Sequence, residues 1–223
     1  MLYLGLFLLV VIALLLYMWK VAHENNVLSH QLSLQGEQEK VRLFFISDVH
    51  LRKISKKMIA QLQGHHFDAV IIGGDFADSR TPIERIHENL TLLTSLGPTY
   101  FIWGGNNDRE IGGEERLKDI LQAYHVQIIV NDAVQLPLKN RFWLSAIEDT
   151  TVKEYSFEKA FAKIGDQDLV VFIAHNPGGV FAKVRTKFRA DLMMGGDIYT
   201  EGKSDSAHMV SIQMVPIVDV MVL

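Results

Sequence analysis

Side chains that can bind a divalent metal ion follow four short hydrophobic segments of this sequence. In chain order they are Asp48 and His50 after "FFIS", Asp75 after "VIIGG", Asn106, Asn107 and Asp108 after "FIWGG", and His175 after "VVFIA". Carboxylates, imidazoles and amide oxygens are ligands for hard or borderline divalent ions. The sequence contains no cysteine, which excludes disulfides and cysteine-based zinc sites. We therefore predict a metal site with oxygen and nitrogen ligands.

Each of these features also has a purely structural interpretation. Gly-Asp after a strand is often only a turn, and Asp-x-His occurs by chance in many loops. A single histidine at a strand end is more often a hydrogen-bonded structural residue than a ligand. The order is more specific than its members: D-x-H, then G-D, then G-N-x-D and finally H-N-P, each after a hydrophobic segment. One shared site explains this order better than four independent coincidences.

The hydrophobic segments before these residues are predicted to be buried strands. They are "VRLFFISD", "DAVIIGGD", "TYFIWGG" and "DLVVFIAH". Amphipathic helices that end at glycine or at a polar turn are predicted at "SKKMIAQLQG", "TPIERIHENLTLLTSLG" and "EERLKDILQAYH". Alternating strands and helices predict an α/β fold with right-handed βαβ units. Ligands of such sheets bind beyond the carboxyl ends of the strands, where the polar residues lie.

Length and composition indicate one globular domain. The chain has 223 residues, of which 48% are hydrophobic, which is ample for one core and short for two. The formal net charge is −4, and lysine and arginine are scattered rather than clustered. The sequence therefore has no specific signal for binding nucleic acid.

The N-terminal segment is predicted to attach the protein to a membrane. Residues 2–19, "LYLGLFLLVVIALLLYMW", contain no charge, and a membrane-spanning helix needs ~20 such residues. A cleaved signal peptide is the alternative, but it would have a shorter apolar region, a preceding basic segment and a small-residue cleavage site. We expect a single transmembrane anchor over residues 1–20 and a polar tether over residues 21–40. The charges that flank this segment do not predict on which side of the membrane the domain lies.

With these motifs, the chain resembles the calcineurin-like metallophosphoesterases, in particular their small membrane-attached bacterial members. The resemblance runs from residue 41 to about residue 197. It implies that residues 41–197 form a four-layer α/β/β/α sandwich that holds two divalent metal ions, with Mn, Fe and Zn as the candidates. It also implies hydrolysis of a phosphomonoester or phosphodiester by a hydroxide that bridges the two ions. The identity of the phosphate-ester substrate stays open.

The resemblance assigns a role to each motif residue. The implied metal ligands are Asp48 and His50 on the first ion, Asp75 between both ions, Asn106 and His175 on the second ion, and Asp197 as one ligand from the family's last motif. Asp108 matches the aspartate that orients a neighbouring catalytic histidine in the family.

The sequence departs from the family pattern at residue 107. The family motif G-N-H-D has a histidine as general acid, whereas this chain reads "GNND", with Asn107 at that position. Asparagine cannot transfer a proton near neutral pH, although its amide can hydrogen-bond a phosphate oxygen. We therefore expect Asn107 and Asp108 to be the catalytic residues of a site that needs a good leaving group or one protonated by water.

A second departure follows Asp197. The family's last motif is G-H-T-H-G-G-Q or G-D-T-H-G-G-Q, whereas this chain reads "GGDIYTEGK", with Tyr199 in place of a histidine ligand. If "YTEGKS" is encoded as TAC ACG GAG GGC AAA TCC, reading from the third base gives His-Gly-Gly-Gln-Ile, the missing motif. We hypothesise that residues 198–223 are an out-of-frame tail and that the last strands of the second sheet are missing. The segment "MVSIQMVPIVDVMVL" could still supply one strand.

These departures leave three functional hypotheses open. The first is a metal-dependent phosphoesterase whose activity is impaired, because both ions keep only part of their ligands. The second is a membrane-tethered binding or regulatory protein that uses the fold without catalysis; the missing histidines favour it and the retained ligands oppose it. The third is the product of a broken gene, which would fold poorly. Metal content and turnover of an aryl phosphodiester distinguish the first two.

Overall fold

The computed structural model describes residues 2–22, 27–32, 40–105, 107–139, 141–151, 154–196 and 218–222. The helices are α1 (Leu2–Ala22), α2 (Lys56–Leu62), α3 (Ile83–Thr94), α4 (Glu114–Ala123), α5 (Phe157–Phe161) and α6 (Val180–Lys187), with a 3-10 turn at Asn107–Glu110. The strands are β1 (Leu28–Leu32), β2 (Val41–Ile46), β3 (Ala69–Ile72), β4 (Thr99–Ile102), β5 (Gln127–Ile129), β6 (Asp132–Gln135), β7 (Phe142–Ala146), β8 (Leu169–Ala174), β9 (Leu192–Gly195) and β10 (Val218–Val222).

The strands form two sheets. The first sheet has the order β1-β10-β2-β3-β4-β5, in which only β1 runs antiparallel to its neighbour. The second has the order β6-β7-β8-β9, with β7, β8 and β9 parallel and β6 antiparallel to β7. Pairing of Ile46 with Ile72 and of Ile72 with Phe101 brings the carboxyl ends of β2, β3 and β4 to one edge.

Alternating side chains of the strands supply separate hydrophobic cores. In β2, Leu43 and Phe45 face the core between the two sheets, whereas Phe44 and Ile46 face the core that includes α2, α3 and α4. The second sheet alternates in the same way, with Phe172 of β8 packed in the core that includes α5 and α6. Successive residues of a strand point to opposite faces, so each sheet has a helical face and a face toward the other sheet. The layers therefore run helix, sheet, sheet, helix.

Most of the predicted elements are present, and the α/β fold with parallel strands is confirmed. All four predicted strands occur, as β2, β3, β4 and β8, and the three predicted helices occur as α2, α3 and α4. The fourth strand, however, lies in the second sheet. Sequence patterns did not identify the short strands β5, β6 and β7 or the short helices α5 and α6. Because β5, β6, β7 and α5 have only three to five residues, hydrophobic periodicity alone does not identify them. Helix α6 was missed although it has eight residues.

The structure does not support the predicted transmembrane anchor. Residues 2–22 form α1, whose described side chains at positions 3–19 are almost all exposed. Among the helices of the described residues, none is both long enough and apolar enough to cross a membrane. The predicted polar tether at residues 21–40 includes the strand β1, which pairs with β10.

The predicted out-of-frame tail contributes one strand. Within residues 198–223, β10 lies between β1 and β2, and it is parallel to β2. The hydrophobic C-terminal segment therefore does supply one strand, but that strand joins the first sheet and not the second. Residues 197–217, which include Asp197 and Tyr199, lie outside the described residues.

Candidate metal centre

Three of the predicted metal ligands converge at the carboxyl ends of β2 and β3. Asp48 and His50 lie on the loop after β2, and Asp75 lies on the loop after β3. Each of the three offers one ligand atom, and these atoms all lie within 4.8 Å of one another. The parallel register of the two strands explains the convergence, because both chains leave the sheet at the same edge.

The three ligands share an unusual backbone conformation. The φ angles of Asp48, His50 and Asp75 are 53°, 46° and 49°, in the left-handed region that side chains other than glycine rarely adopt. Backbone hydrogen bonds hold this conformation: the N–H of Asp48 donates to Gly74 O at 3.1 Å, and that of His50 donates to Asp75 O at 3.3 Å. Such conformations concentrate at functional sites, where the surrounding structure compensates for their cost.

Glycines allow the loops to approach as closely as they do. A Cβ atom at Gly74 would lie 2.3 Å from Gly104 O, and one at Gly105 would lie 1.9 Å from Asp75 Oδ1. Gly74 and Gly105 also have φ angles of 92° and 88°. Because glycine has no Cβ atom, Gly74 and Gly105 permit the close backbone approach beside Asp75.

His175 reaches the centre from the second sheet. Its Nδ1 lies 3.0 Å from Gly73 O, and its Nε2 lies 3.6 Å from Asp75 Oδ2. Because Gly73 O can only accept, Nδ1 carries a proton and Nε2 faces the cluster. Burial alone would lower the pKa of His175, but the carboxylates of Asp75 and Asp48 outweigh it and raise the pKa to about 9. His175 is thus beside the three ligands, in a position to add a nitrogen ligand.

Asp75 contacts the side chains of His50, His175 and Asn107. Burial raises the pKa of its carboxyl, and hydrogen bonding from His175 and Asn107 more than offsets this, so that the pKa lies below its usual value. Asn107 Nδ2 donates to Asp75 Oδ2 at 2.7 Å. The Asn107 amide therefore acts on the carboxylate that the family resemblance places between the two ions.

Asp108 binds backbone rather than the side chain of residue 107. It is fully buried, and its Oδ1 accepts from the N–H groups of Phe76 at 2.8 Å and Ala77 at 3.2 Å. Its Oδ2 has no hydrogen-bond partner within the described part of the chain. Burial raises the pKa of Asp108 to about 8. Asp108 thus anchors the backbone that follows Asp75, a role different from the one that the resemblance implied.

Asp78 is a neighbour of the centre that sequence reasoning missed. It is 3% exposed, and its Oδ2 lies 3.8 Å from His50 Nδ1 and 2.9 Å from Arg80 Nη2. His50 Nε2 lies 3.8 Å from Asp75 Oδ2 on the other side of the ring. At 3.8 Å the Asp78 carboxylate is too far for a hydrogen bond to His50 Nδ1, so it is a neighbouring negative charge rather than a bonded partner of the ring. The spacing of three residues after Asp75 is the only sequence signal for it.

Several other histidine, tryptophan and arginine side chains have surroundings that do not include the three converging ligands. His65 and His66 are exposed on the turn after α2. Trp103 and Trp143 are buried in the core. Arg109 is directed to carboxylates of the protein, with Nη2 2.9 Å from Glu148 Oε1. The predicted ligand Asn106 lies outside the described residues, as does Asp197.

The residues present fit a divalent ion. The carboxylates of Asp48 and Asp75 and the imidazole of His50 are close enough to bind one ion. The imidazole of His175 lies next to Asp75. Hard and borderline divalent ions take this mixture of oxygen and nitrogen ligands. Asp48, His50 and Asp75 would hold such an ion, with His175 available on the side of the second sheet.

Comparison with known proteins gives two similarities. The sequence model of the calcineurin-like phosphoesterases matches residues 41–203. A Bacillus subtilis (strain 168) protein, the uncharacterized protein YpbG, is 30% identical over 164 residues, which are 72% of this chain. The match covers 62% of that relative, so the chain spans less than two thirds of its length.

Proposed function

This chain belongs to the calcineurin-like phosphoesterase family, and we propose that it hydrolyses a phosphomonoester or phosphodiester with two divalent metal ions. Convergence of Asp48, His50 and Asp75 within 4.8 Å is the observation that supports this proposal most directly. When bound, the two ions lower the pKa of a coordinated water and neutralise charge on the phosphate.

We assign the residues around the site to two roles, binding the metal ions and fixing the position of the metal ligands. Asp48, His50 and Asp75 would hold one ion, and His175, beside Asp75, would be available to a second. Asp78 Oδ2 lies 3.8 Å from His50 Nδ1, while His50 Nε2 faces Asp75. Asp108 fixes the backbone after Asp75 through two N–H groups, so the central carboxylate keeps its position when an ion binds.

The site lacks a proton donor at residue 107. The Asn107 amide can donate a hydrogen bond to a phosphate oxygen, but it cannot protonate a leaving group. Asp108 is fully buried and bound to backbone, which keeps it from that role. We therefore assign substrates whose leaving groups are stable anions, such as aryl esters, as the ones this chain cleaves fastest.

Turnover of an aryl phosphodiester and an aryl phosphomonoester with added Mn²⁺ tests the proposal. We expect turnover that EDTA abolishes and that Mn²⁺ restores. Asp75→Asn removes the central charge and should lower turnover at least about 100-fold, since every predicted ion contacts this carboxylate. Asp132→Asn, an exposed carboxylate paired with Lys163, is the matched control. Metal-independent turnover, or turnover unaffected by Asp75→Asn, would contradict the proposal.

A second candidate function is metal-dependent binding without catalysis. Two observations favour binding without catalysis. Residue 107 is an asparagine where the family has a general-acid histidine, and its Nδ2 donates to Asp75 Oδ2 at 2.7 Å. A chain that binds Mn²⁺ and a phosphate ester but does not hydrolyse it would support this alternative.

A further inference from the structure

The loop after β7, in the second sheet, contacts Gly105, which lies beside the metal centre. Asp149 on this loop is only 7% exposed, and both of its carboxylate oxygens accept backbone N–H groups. Oδ2 accepts from Gly105 at 3.0 Å, across the two sheets, and Oδ1 accepts from Thr151 at 2.8 Å, within its own loop. The first contact joins this loop to the segment that follows β4.

The position of the Gly105 backbone affects the metal centre directly, because this backbone lies against the Asp75 carboxylate. Gly105 directly precedes Asn106 and Asn107, and its backbone lies against Asp75, where a Cβ atom would be 1.9 Å from Oδ1. Its φ of 88° is one that other residues rarely adopt. Holding this N–H therefore fixes where the segment begins relative to the central carboxylate.

Glu148 holds the other end of the same segment. Its Oε1 lies 2.9 Å from Arg109 Nη2 and also accepts from the N–H of Asp149 at 3.0 Å. The N–H of Glu148 in turn donates to Asn131 Oδ1 at 3.1 Å, which ties the loop to the turn between β5 and β6. Residues 105 and 109, at the two ends of the segment, are thus bound by two adjacent carboxylates.

We propose that the Glu148–Asp149 pair is a positioning device that holds Gly105 and Arg109 beside the metal centre, with Asp149 as the residue on which metal affinity depends. This inference rests on the proposed function. Burying a carboxylate costs free energy unless its oxygens are hydrogen-bonded, and Asp149 satisfies both oxygens with backbone N–H groups. The hydrogen bond from Thr151 lies within the loop of Asp149, whereas the hydrogen bond from Gly105 joins this loop to the segment after β4, in the first sheet.

Titration with Mn²⁺ followed by calorimetry tests the role of Asp149 without requiring turnover. Loss of partners that orient a metal ligand typically lowers metal affinity 10- to 100-fold, and we expect a loss of roughly that size for Asp149→Ala. Asp149→Asn should lose less, because its one amide oxygen can still accept from Gly105. The matched control is Asp168→Asn, which removes another buried carboxylate that accepts a glycine N–H, from Gly165 at 2.8 Å.

The outcomes separate this inference from the proposed function. Weaker Mn²⁺ binding in both Asp149 variants, with Asp168→Asn close to the wild type at a similar thermal stability, supports the positioning role. Wild-type Mn²⁺ affinity in a folded Asp149→Asn and Asp149→Ala overturns it. A wild-type chain that binds Mn²⁺ and cleaves no phosphate ester refutes the proposed function, and the affinity comparison still decides the role of Asp149.

Discussion

His175 and Asp75 form a charged pair at the centre of the site, and metal binding must disrupt it. The carboxylates raise the pKa of His175 to about 9, so near neutral pH its Nε2 carries a proton that an ion would have to displace. This proton makes metal binding depend on pH in a range where the isolated imidazole would already be neutral.

We expect binding of Mn²⁺ to release a proton from His175. Below pH 9, affinity should rise about tenfold for each pH unit, because one proton leaves for each ion bound. Calorimetry at pH 7, 8 and 9 in buffers of different ionisation enthalpy measures both the affinity and the released proton. His175→Asn should bind more weakly and lose this dependence. Affinity that is constant from pH 7 to 9 in the wild type would exclude His175 as a ligand.

The buried carboxyl of Asp108 should make stability fall as the pH rises. Its pKa is raised from 3.8 to about 8 by burial, so between these values the folded state keeps a proton that the unfolded state has lost. The free energy of unfolding therefore decreases between about pH 4 and 8, by at most about 1.4 kcal/mol per pH unit from this group. Below pH 4 both states are protonated and the contribution is constant.

Asp108→Asn replaces the neutral carboxyl with a neutral amide and should remove this decrease. Its oxygen can still accept from Phe76 and Ala77, so we expect the variant to gain stability relative to the wild type as the pH rises from 5 to 8. Urea unfolding of the metal-free proteins in EDTA measures the difference. Asp132→Asn serves as the control for loss of an exposed carboxylate. Parallel pH profiles for the wild type and Asp108→Asn would show that Asp108 is ionised in the folded protein.

At the scale of the elements, the loops after β3 and β4 are in contact because glycine backbones face each other across them. Gly74 approaches Gly104 O, and Gly105 approaches the Asp75 carboxylate. The strands deliver the ligands to one edge, but the glycines decide how closely the two loops approach. A substitution that pushes these two loops apart should therefore also weaken metal binding.

Gly105→Ala should destabilise the fold and weaken metal binding. The left-handed φ of 88° costs about 1–2 kcal/mol for a residue with a Cβ atom, and that atom would also clash with Asp75 Oδ1. Urea unfolding and Mn²⁺ titration measure the two effects. Gly64→Ala is the control, because a Cβ atom there meets nothing within 4 Å, and we expect a change within about 0.5 kcal/mol. Equal behaviour of the two variants would contradict this account of the loops.

At the scale of the whole molecule, the site draws on both sheets. Asp48, His50 and Asp75 come from the first sheet, and His175 and Asp149 come from the second. The core between the sheets fixes their separation, so the two halves of the site are rigid with respect to each other only when that core is packed. The family's last motif would add to the site after β9, beyond residue 196.

Restoring the reading frame after Asp197 should increase activity. A chain that continues with His-Gly-Gly-Gln would regain a histidine ligand, and we expect turnover of an aryl phosphodiester to rise by orders of magnitude at equal concentrations of folded protein. Resequencing codons 190–223 and reading all three frames comes first. Equal turnover of the two chains, or stop codons soon after Asp197 in the alternative frame, would contradict the frameshift hypothesis.

The sequence alone predicted the α/β class of fold, the family and the residues that come together at the candidate metal centre. Asp48, His50, Asp75 and His175 follow buried hydrophobic segments, and side-chain period and strand–helix alternation are local properties that a sequence records directly. For the same reason, the strands β2, β3, β4 and β8 were predictable, since each is a run of hydrophobic residues that ends in polar ones.

Only the tertiary structure decided which sheet each strand joins and which groups lie behind the ligands. β8 resembles the strands of the first sheet in sequence, yet it pairs with β7 and β9. Asp78, Glu148 and Asp149 look like ordinary loop carboxylates until the folded chain places them against His50, Arg109 and Gly105. Strand pairing and contacts between distant loops depend on packing across the whole core, which no local pattern of residues encodes.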